Sequence, residues 1–175
     1  MSAQDPFVKY RVNSFFHFTD LRNCLGIRKH GGIYSLAKAE EKGIDIPYPG
    51  GNDLSHELDK KAGLDKYVHL TLKVGHPMQY VAVQEGRIAQ AIYLQVHPDV
   101  LNSKDVLFTP GVANKTDMPV YSIAEALKQN LIDFEVLYTR TNWGDSNIQQ
   151  RLQQAERSEI LVQDFIPLNL IRNLP

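Results

Sequence analysis

A glutamate near the end of the chain has the sequence setting that most strongly suggests chemistry. Glu159 lies where the polar, helix-like segment 146–158 gives way to the apolar run 160–162. A carboxylate at the edge of a buried strand is costly to desolvate unless it has a partner or a catalytic task. Taken alone, Glu159 could equally be an exposed residue that ends a helix, so its role depends on which other residues accompany it.

His17 is the candidate companion. It is the polar ring within the largely apolar segment Phe15–Thr19, which alternates as a strand does. This alternation predicts that Phe15, His17 and Thr19 share one face of the strand. Taken alone, such a histidine is more often a half-buried residue that bonds to a backbone carbonyl.

Candidate residues for contact with a nucleic acid lie at 138–151. Trp143, the single tryptophan, stands with Arg140 in a polar loop that contains glycine. An exposed aromatic ring suits base stacking, which contributes ~1–3 kcal/mol per base. The alternative is that Trp143 packs back against the core. Arg151, on the helix that follows, is the third candidate, although an arginine there is more often simply solvated.

Composition predicts one globular domain spanning residues 1–175, with 43% hydrophobic residues. The 19 basic and 20 acidic residues give a net charge of −1, which argues against a broad polyphosphate-binding surface but allows a local basic patch. One cysteine, Cys24, excludes a disulfide framework within the chain. The spacing of the six histidines predicts no metal site. We find no signal peptide or apolar span, so a cytoplasmic protein is expected.

The pattern of elements predicts an α+β fold, because short strands and helices alternate without a clean βαβ repeat. Strands are predicted at 15–19, 67–72, 88–96, 106–108, 160–162 and 166–171, and helices at 21–30, 54–62, 122–130 and 148–157. Residues 134–138 are predicted to be extended, 78–83 to be a strand or one helical turn, and 1–13 to be a loosely held lead-in. The irregular segment 37–66 is expected to be functional, and no nucleotide-binding glycine motif is present.

Three blocks in this order resemble the DarT family of DNA ADP-ribosyltransferases, which are bacterial toxins. The blocks are 16–23 with 27–33, 65–70 with 76–80, and 155–162 with 165–168. The resemblance extends from about residue 14 to residue 171. It implies the ADP-ribosyltransferase fold, in which two packed antiparallel mixed sheets with flanking short helices enclose a central NAD cleft.

The resemblance also implies site residues and partners. Glu159 would be catalytic, and His17, Thr19 and Asn23 would hold NAD⁺ as co-substrate, with His17 donating from a ring N–H. No metal would be needed. The acceptor would be a nucleobase in single-stranded DNA, and a macrodomain antitoxin would complete a toxin–antitoxin system. This chemistry suits a carboxylate, because breaking the bond between ribose and nicotinamide gives an oxocarbenium-like centre.

One departure from the family pattern leaves alternatives open. Residues 34–66 contain no arginine, where the resemblance implies one near the nicotinamide. Lys60, Lys61 or His56 could substitute, but none reproduces a planar guanidinium. The alternatives are an enzyme of the same fold that acts on RNA, a protein or a terminal phosphate, and a binding module without turnover.

Overall fold

Two antiparallel sheets form the framework of the computed structural model, which describes residues 5–115 and 117–175. The strands in these residues are β1 (Phe15–Asp20), β2 (Gly32–Tyr34), β3 (Tyr67–Thr71), β4 (Ala91–Val96), β5 (Val106–Thr109), β6 (Tyr121–Ser122), β7 (Glu159–Gln163) and β8 (Phe165–Pro167). Six of them pair in the order β4-β1-β3-β7-β5-β6, and β2 pairs with β8. The predicted α+β class is therefore confirmed, with one large and one small sheet.

Short helices connect the strands. They are α1 (Pro6–Lys9), α2 (Cys24–His30), α3 (Leu36–Glu41), α4 (Asp53–Ala62), α5 (Pro77–Gln84), α6 (Ile123–Lys128), α7 (Phe134–Tyr138) and α8 (Ser146–Ala155), with 3-10 helices at Leu21–Asn23, Pro98–Asn102 and Leu168–Leu170. Local signals in the sequence set their ends: Ser122 and Glu125 form a capping box at the start of α6, and Gly31 ends α2 at a φ of 85°. Among the described residues, no helix is long and apolar enough to cross a membrane.

The prediction that residues 134–138 are extended is wrong. The Asp133 side chain accepts a hydrogen bond from the Val136 N–H and starts α7. Phe134, Val136 and Leu137 are all buried, so the helix is stabilised by packing that local propensity does not report.

The loosely held lead-in predicted for residues 1–13 is wrong for the part that the structure describes. Residues 1–4 lie outside the described residues. Asp5 caps α1, and Phe7 is 2% exposed. The ring of Phe7 packs edge-on against Phe15 and Phe134, with centroids 5.8 and 4.9 Å away. This segment therefore belongs to the core.

The segment 37–66 is more regular than predicted. It contains α4 and most of α3, so the irregular part is 42–52. The Asn52 side chain caps α4 by accepting a hydrogen bond from the Ser55 N–H. Residues 78–83, left open between strand and helix, belong to α5.

An opening in the large sheet positions the site. Strand β1 pairs with β4 along its whole length, but its register with β3 is confined to Phe16 opposite Thr71. The two strands therefore diverge beyond that point. Phe15 is buried in the core at one end of β1, whereas His17 and Thr19, further along the same face, reach the opening. Cys24 is buried and belongs to the core.

Candidate active site

A cleft occupies the space between β1 and β3. Strand β2 of the small sheet and the segment 44–59 complete its walls. Glu159, His17, Thr19 and Asn23 all line this cleft, so the structure brings together the four residues that were predicted from two distant parts of the chain.

Glu159 is held by two histidines. It is the first residue of β7, lies between Thr71 of β3 and Thr109 of β5, and is 4% exposed. Its Oε2 is 2.9 Å from Nδ1 of His69, and its Oε1 is 3.5 Å from Nε2 of His76. Because each carboxylate oxygen faces a separate ring, the orientation of Glu159 is fixed before any substrate binds.

His69 is the charged member of this pair. Its second nitrogen, Nε2, lies 3.4 Å from the Leu64 carbonyl, so both ring nitrogens face acceptors. Burial lowers the pKa of His69, but the hydrogen bond and charge of Glu159 outweigh burial and raise the pKa to about 9. His69 is therefore a cation at neutral pH, paired with Glu159.

His76 is the neutral member. Its Nδ1 accepts from the Met78 N–H at 3.3 Å, which places the ring proton on Nε2, between Glu159 and the Arg157 carbonyl. Burial lowers the pKa of His76 despite the nearby carboxylate. The side chain is fully buried, so His76 supports Glu159 from behind and does not line the cleft.

His17 uses its ring N–H within the protein. Nδ1 lies 3.1 Å from the His69 carbonyl, and a carbonyl can only accept, so Nδ1 carries the proton. Burial lowers the pKa of His17, and the neutral ring leaves Nε2 as an acceptor. The Nδ1 proton of His17 is already donated to the His69 carbonyl, at the point where β1 and β3 diverge. His17 therefore offers NAD⁺ an acceptor at Nε2, and not the ring N–H donor that was predicted.

Asn23 presents an unpaired acceptor. Its Nδ2 donates to Thr19 Oγ1 at 3.1 Å and to the Tyr48 carbonyl at 2.8 Å. Its Oδ1 is buried, and no described group donates to it. The side of the cleft formed by β1 and the turn after it therefore offers two acceptors, Oδ1 of Asn23 and Nε2 of His17, and one donor, the Thr19 hydroxyl. This set suits a ligand rich in ribose hydroxyls.

Arg22 brings a guanidinium to the cleft from outside the segment 34–66. It forms two 2.8 Å hydrogen bonds to the fully buried Asp20, and its guanidinium carbon is 3.4 Å from the centroid of the Tyr48 ring. The Arg22 side chain holds the pKa of Asp20 well below its usual range. Among the described residues that line the cleft, Arg22 is the one arginine.

The three residues suggested as substitutes for the missing arginine differ in position. His56 lines the cleft. Lys60 pairs with Glu40 at 3.4 Å on the surface, and Lys61 is exposed. Only the histidine of this set could contact a bound substrate.

The predicted acceptor-binding residues lie outside the cleft. Trp143 is 47% exposed and Arg140 is exposed, so the packed-back alternative for Trp143 does not hold. Arg151 forms hydrogen bonds of 2.7 and 2.8 Å to Asp133 and one of 2.8 Å to Glu135, next to a separate pocket. The structure does not bring these three side chains to Glu159.

Sequence reasoning missed four contributors to the site: His69, His76, Arg22 and Tyr48. His69 left a usable signal, since it is the polar ring of an alternating strand, as His17 is. Its partner is 90 positions away, and only the pairing of β3 with β7 brings the two together. Among the described residues, no group of three or more His, Cys, Asp or Glu side chains is placed to hold a metal ion.

Solved structures share this fold. Thermus sp. 2.9 DarT in complex with ADP-ribosylated ssDNA matches with a TM-score of 0.68 and 18% identity, over 92% of this chain and 79% of that one. The same protein in complex with NAD⁺ matches with a TM-score of 0.59 and 19% identity, over 92% and 80%. Thermosipho africanus DarTG in complex with ADP-ribose matches with a TM-score of 0.67 and 20% identity, over 91% and 42%. The predicted fold is confirmed.

A match to a sequence model of a protein family shows the family of this chain. No curated protein matches the chain. The model for the ssDNA thymidine ADP-ribosyltransferase DarT matches residues 16–174, which include every residue described above as part of the cleft. The chain therefore belongs to the DarT family of ssDNA thymidine ADP-ribosyltransferases.

Proposed function

We propose that this chain, acting as one domain, transfers ADP-ribose from NAD⁺ to thymidine in single-stranded DNA, with Glu159 as the catalytic residue. The observation that carries the proposal is the fixed carboxylate of Glu159, held by His69 and His76 in the cleft. The family supports the substrate class, and the related structures contain NAD⁺ and ADP-ribosylated ssDNA.

Three residues on β1 and the turn after it would hold NAD⁺. Nε2 of His17 and Oδ1 of Asn23 would accept hydrogen bonds from ribose hydroxyls, and the Thr19 hydroxyl would donate. Arg22 would add positive charge near the pyrophosphate, since its side chain lines the cleft and is 44% exposed. All four are oriented by contacts within the protein, which lowers the entropy cost of binding.

Glu159 would act on the ribose of the nicotinamide half. As the glycosidic bond breaks, its electron pair leaves with nicotinamide, and positive charge develops on the ribose. A carboxylate beside that ribose stabilises this charge and orients a hydroxyl group. His69 and His76 are positioning residues, because they hold Glu159 without needing to touch NAD⁺.

The acceptor strand would run over the loop 139–145. This loop follows Tyr138, whose hydroxyl donates to the Leu72 carbonyl at 3.2 Å, one residue beyond the Thr71 that pairs with Glu159. Trp143 would stack on a base, and Arg140 and Arg151 would contact phosphates. Arg151 would contribute least, because two carboxylates already bind it.

A Trp143→Ala variant tests this path. We expect the KM for a thymidine oligonucleotide to rise about 10-fold, the effect of losing one stacked base, with no change in NAD⁺ binding. Tyr80→Ala, which removes another exposed ring, serves as the control. Full transfer at low oligonucleotide concentration by Trp143→Ala would remove the tryptophan from the proposal.

Intact mass measurement tests the proposed reaction itself. Short DNA oligonucleotides, each lacking one base, are incubated with NAD⁺ and the protein, in parallel with RNA and a protein acceptor. We expect one ADP-ribosyl group on every DNA that contains thymidine and none on the DNA that lacks it. Transfer to RNA or protein instead would assign another acceptor, and NAD⁺ binding without any transfer would indicate a binding module.

The biological setting follows from the same proposal. The protein would act in the bacterial cytoplasm as a toxin whose mark a macrodomain antitoxin removes. Expression in bacteria should therefore stop growth and DNA synthesis, and co-expression of a macrodomain hydrolase should restore both. Growth at the normal rate with active protein present would contradict a role as a toxin.

A further inference from the structure

We infer that Asp59 of α4 is a second catalytic carboxylate, which takes the proton that thymine must lose when it accepts ADP-ribose. This inference rests on the proposed function and concerns the acceptor side of the same cleft. It assigns the two halves of the reaction to carboxylates on opposite walls.

The first support is where Asp59 lies. It lines the cleft together with His69 and Glu159, although it comes from the covering segment and they come from the sheet. Its Oδ1 is buried, and among the described residues no group donates a hydrogen bond to it. A buried acceptor without a donor is costly to the folded protein, so it calls for an explanation such as a hydrogen-bonding substrate.

The second support is the contrast with Glu159. Both oxygens of Glu159 already face the imidazoles of His69 and His76. Taking a proton from a base would require Glu159 to break one of these contacts. Asp59 has no such contact to give up, because no described group donates to its Oδ1.

The charges around Asp59 favour proton uptake. Burial raises the pKa of Asp59, and the carboxylates of Glu159 and Asp65 raise it further, while the His69 cation opposes them. The neutral side chain of His56 also faces the cleft. A carboxylate with a raised pKa is a stronger base, and its protonation relieves repulsion from Glu159.

The chemistry of thymine requires such a base. Its N1 is bound to deoxyribose, so N3 is the ring nitrogen that can form a new glycosidic bond, and N3 carries a proton. In the transfer, the C1′–N bond to nicotinamide breaks and its electron pair leaves with nicotinamide. The electron pair of the N3–H bond forms the new bond from N3 to C1′ of the ribose that nicotinamide has left. The proton passes to Asp59, which later releases it to water.

The test combines an isosteric variant with a change in the acidity of the acceptor. Asp59→Asn should lower single-turnover transfer to a thymidine oligonucleotide about 100-fold, the contribution of a general base, while NAD⁺ affinity changes less than two-fold. Glu57→Gln, an exposed carboxylate on the same helix, should transfer at the wild-type rate.

An oligonucleotide with 5-fluoro-2′-deoxyuridine in place of thymidine separates catalysis from structure. Fluorine makes the N3 proton more acidic, so the acceptor needs less help from a base. The defect of Asp59→Asn should therefore shrink at least 10-fold on this oligonucleotide. A 2′-deoxyuridine oligonucleotide also lacks the methyl group of thymine but carries no fluorine to acidify N3, so it should show the full defect.

Two results would overturn the inference. The first is wild-type transfer by Asp59→Asn, and the second is an equal defect on the thymidine and 5-fluoro oligonucleotides, which would indicate a structural role. If Asp59→Asn does not fold, Asp59→Glu keeps the carboxylate and must retain transfer. Absence of transfer by the wild-type protein would instead refute the proposed function.

Discussion

The two walls of the cleft differ in the hydrogen-bond partners of their polar side chains. On the sheet wall, Glu159, His69 and His17 bond to one another or to the backbone of neighbouring strands. On the covering wall, formed by residues 44–59, the contacts to the rest of the protein include the Tyr48 and Gly50 carbonyls, the Tyr48 ring, and a 3.1 Å hydrogen bond from Asn114 Nδ2 to Ser55 Oγ. Among the described residues, no group donates to the buried Oδ1 of Asp59.

This difference indicates that the two walls serve different steps of the reaction. A wall whose charges are fixed by strands suits the step in which charge develops on the ribose, because preorganised groups need no rearrangement. Each wall also keeps one acceptor to which no described group donates: Oδ1 of Asn23, after β1, which we assign to NAD⁺, and Oδ1 of Asp59, on the covering wall, which we assign to the base. A variant on the sheet wall should therefore lower the rate of transfer, whereas a variant of the loop in the covering wall should weaken substrate binding.

Among the residues that support the site without being assigned a catalytic step, the largest effect is expected on the sheet wall, from His69→Ala. Without its cationic partner, Glu159 loses the contact that fixes one of its oxygens. We expect transfer to fall roughly 100-fold, about 2.7 kcal/mol of transition-state stabilisation, measured as kcat with saturating NAD⁺. His97 forms a comparable pair with Asp99, with Nδ1 3.3 Å from Oδ2, and does not line the cleft, so His97→Ala should leave kcat unchanged. Equal losses in the two variants would contradict the assignment.

The charge of His69 also predicts how stability depends on pH. Its pKa is raised from 6.5 to about 9, so its contribution to folding is complete below pH 6.5 and is lost as pH rises through about 9. Urea unfolding at pH 7 and pH 10 should show a loss on the order of 2 kcal/mol in the wild type that His69→Gln lacks. Identical pH dependence in both proteins would show that His69 is not charged.

A smaller effect is expected on the covering wall, from Gly50→Ala. A Cβ at Gly50 would lie 2.8 Å from the Phe18 ring, so the segment must move away from β1. We expect the KM for NAD⁺ to rise about 10-fold, equivalent to ~1.4 kcal/mol, with kcat nearly unchanged. Adding Phe18→Leu, which removes part of the ring, should recover most of the loss. No recovery in the double variant would refute a steric cause.

The smallest effect is expected from Tyr48→Ala, which removes the ring beneath the Arg22 guanidinium. A cation–π contact at a partly exposed site contributes about 0.5–1 kcal/mol. The KM for NAD⁺ should therefore rise two- to five-fold, and Tyr48→Phe should behave as the wild type, because it keeps the ring. A loss of kcat in Tyr48→Ala would place Tyr48 among the residues that act on the transition state.

The sheet wall could be predicted from the sequence to a large extent, and the covering wall could not. Strand alternation placed His17 and Thr19 on one face, and the change from polar to apolar residues located Glu159 at the start of β7. The same local signals carry no information on which distant strand pairs with β7. The pairing of His69 with Glu159 therefore emerged only from the structure.

The covering wall escaped prediction because its order comes from tertiary contacts. Residues 42–52 have the prolines and glycines of an irregular loop, and no periodic pattern locates them over the cleft. Their position depends on contacts from outside the segment, such as the hydrogen bond from Asn23 to the Tyr48 carbonyl. The same limitation explains the error at α7, where burial of Phe134 and Val136 outweighed local preference.

The most direct test of the account is single-turnover ADP-ribosyl transfer by Glu159→Gln, beside Glu156→Gln. Both variants exchange a carboxylate for an amide of the same shape, three residues apart, and only Glu159 lines the cleft. We predict a loss of roughly 1000-fold for Glu159→Gln, with NAD⁺ still bound, and the wild-type rate for Glu156→Gln. Transfer by Glu159→Gln within a few-fold of wild type would contradict the central claim.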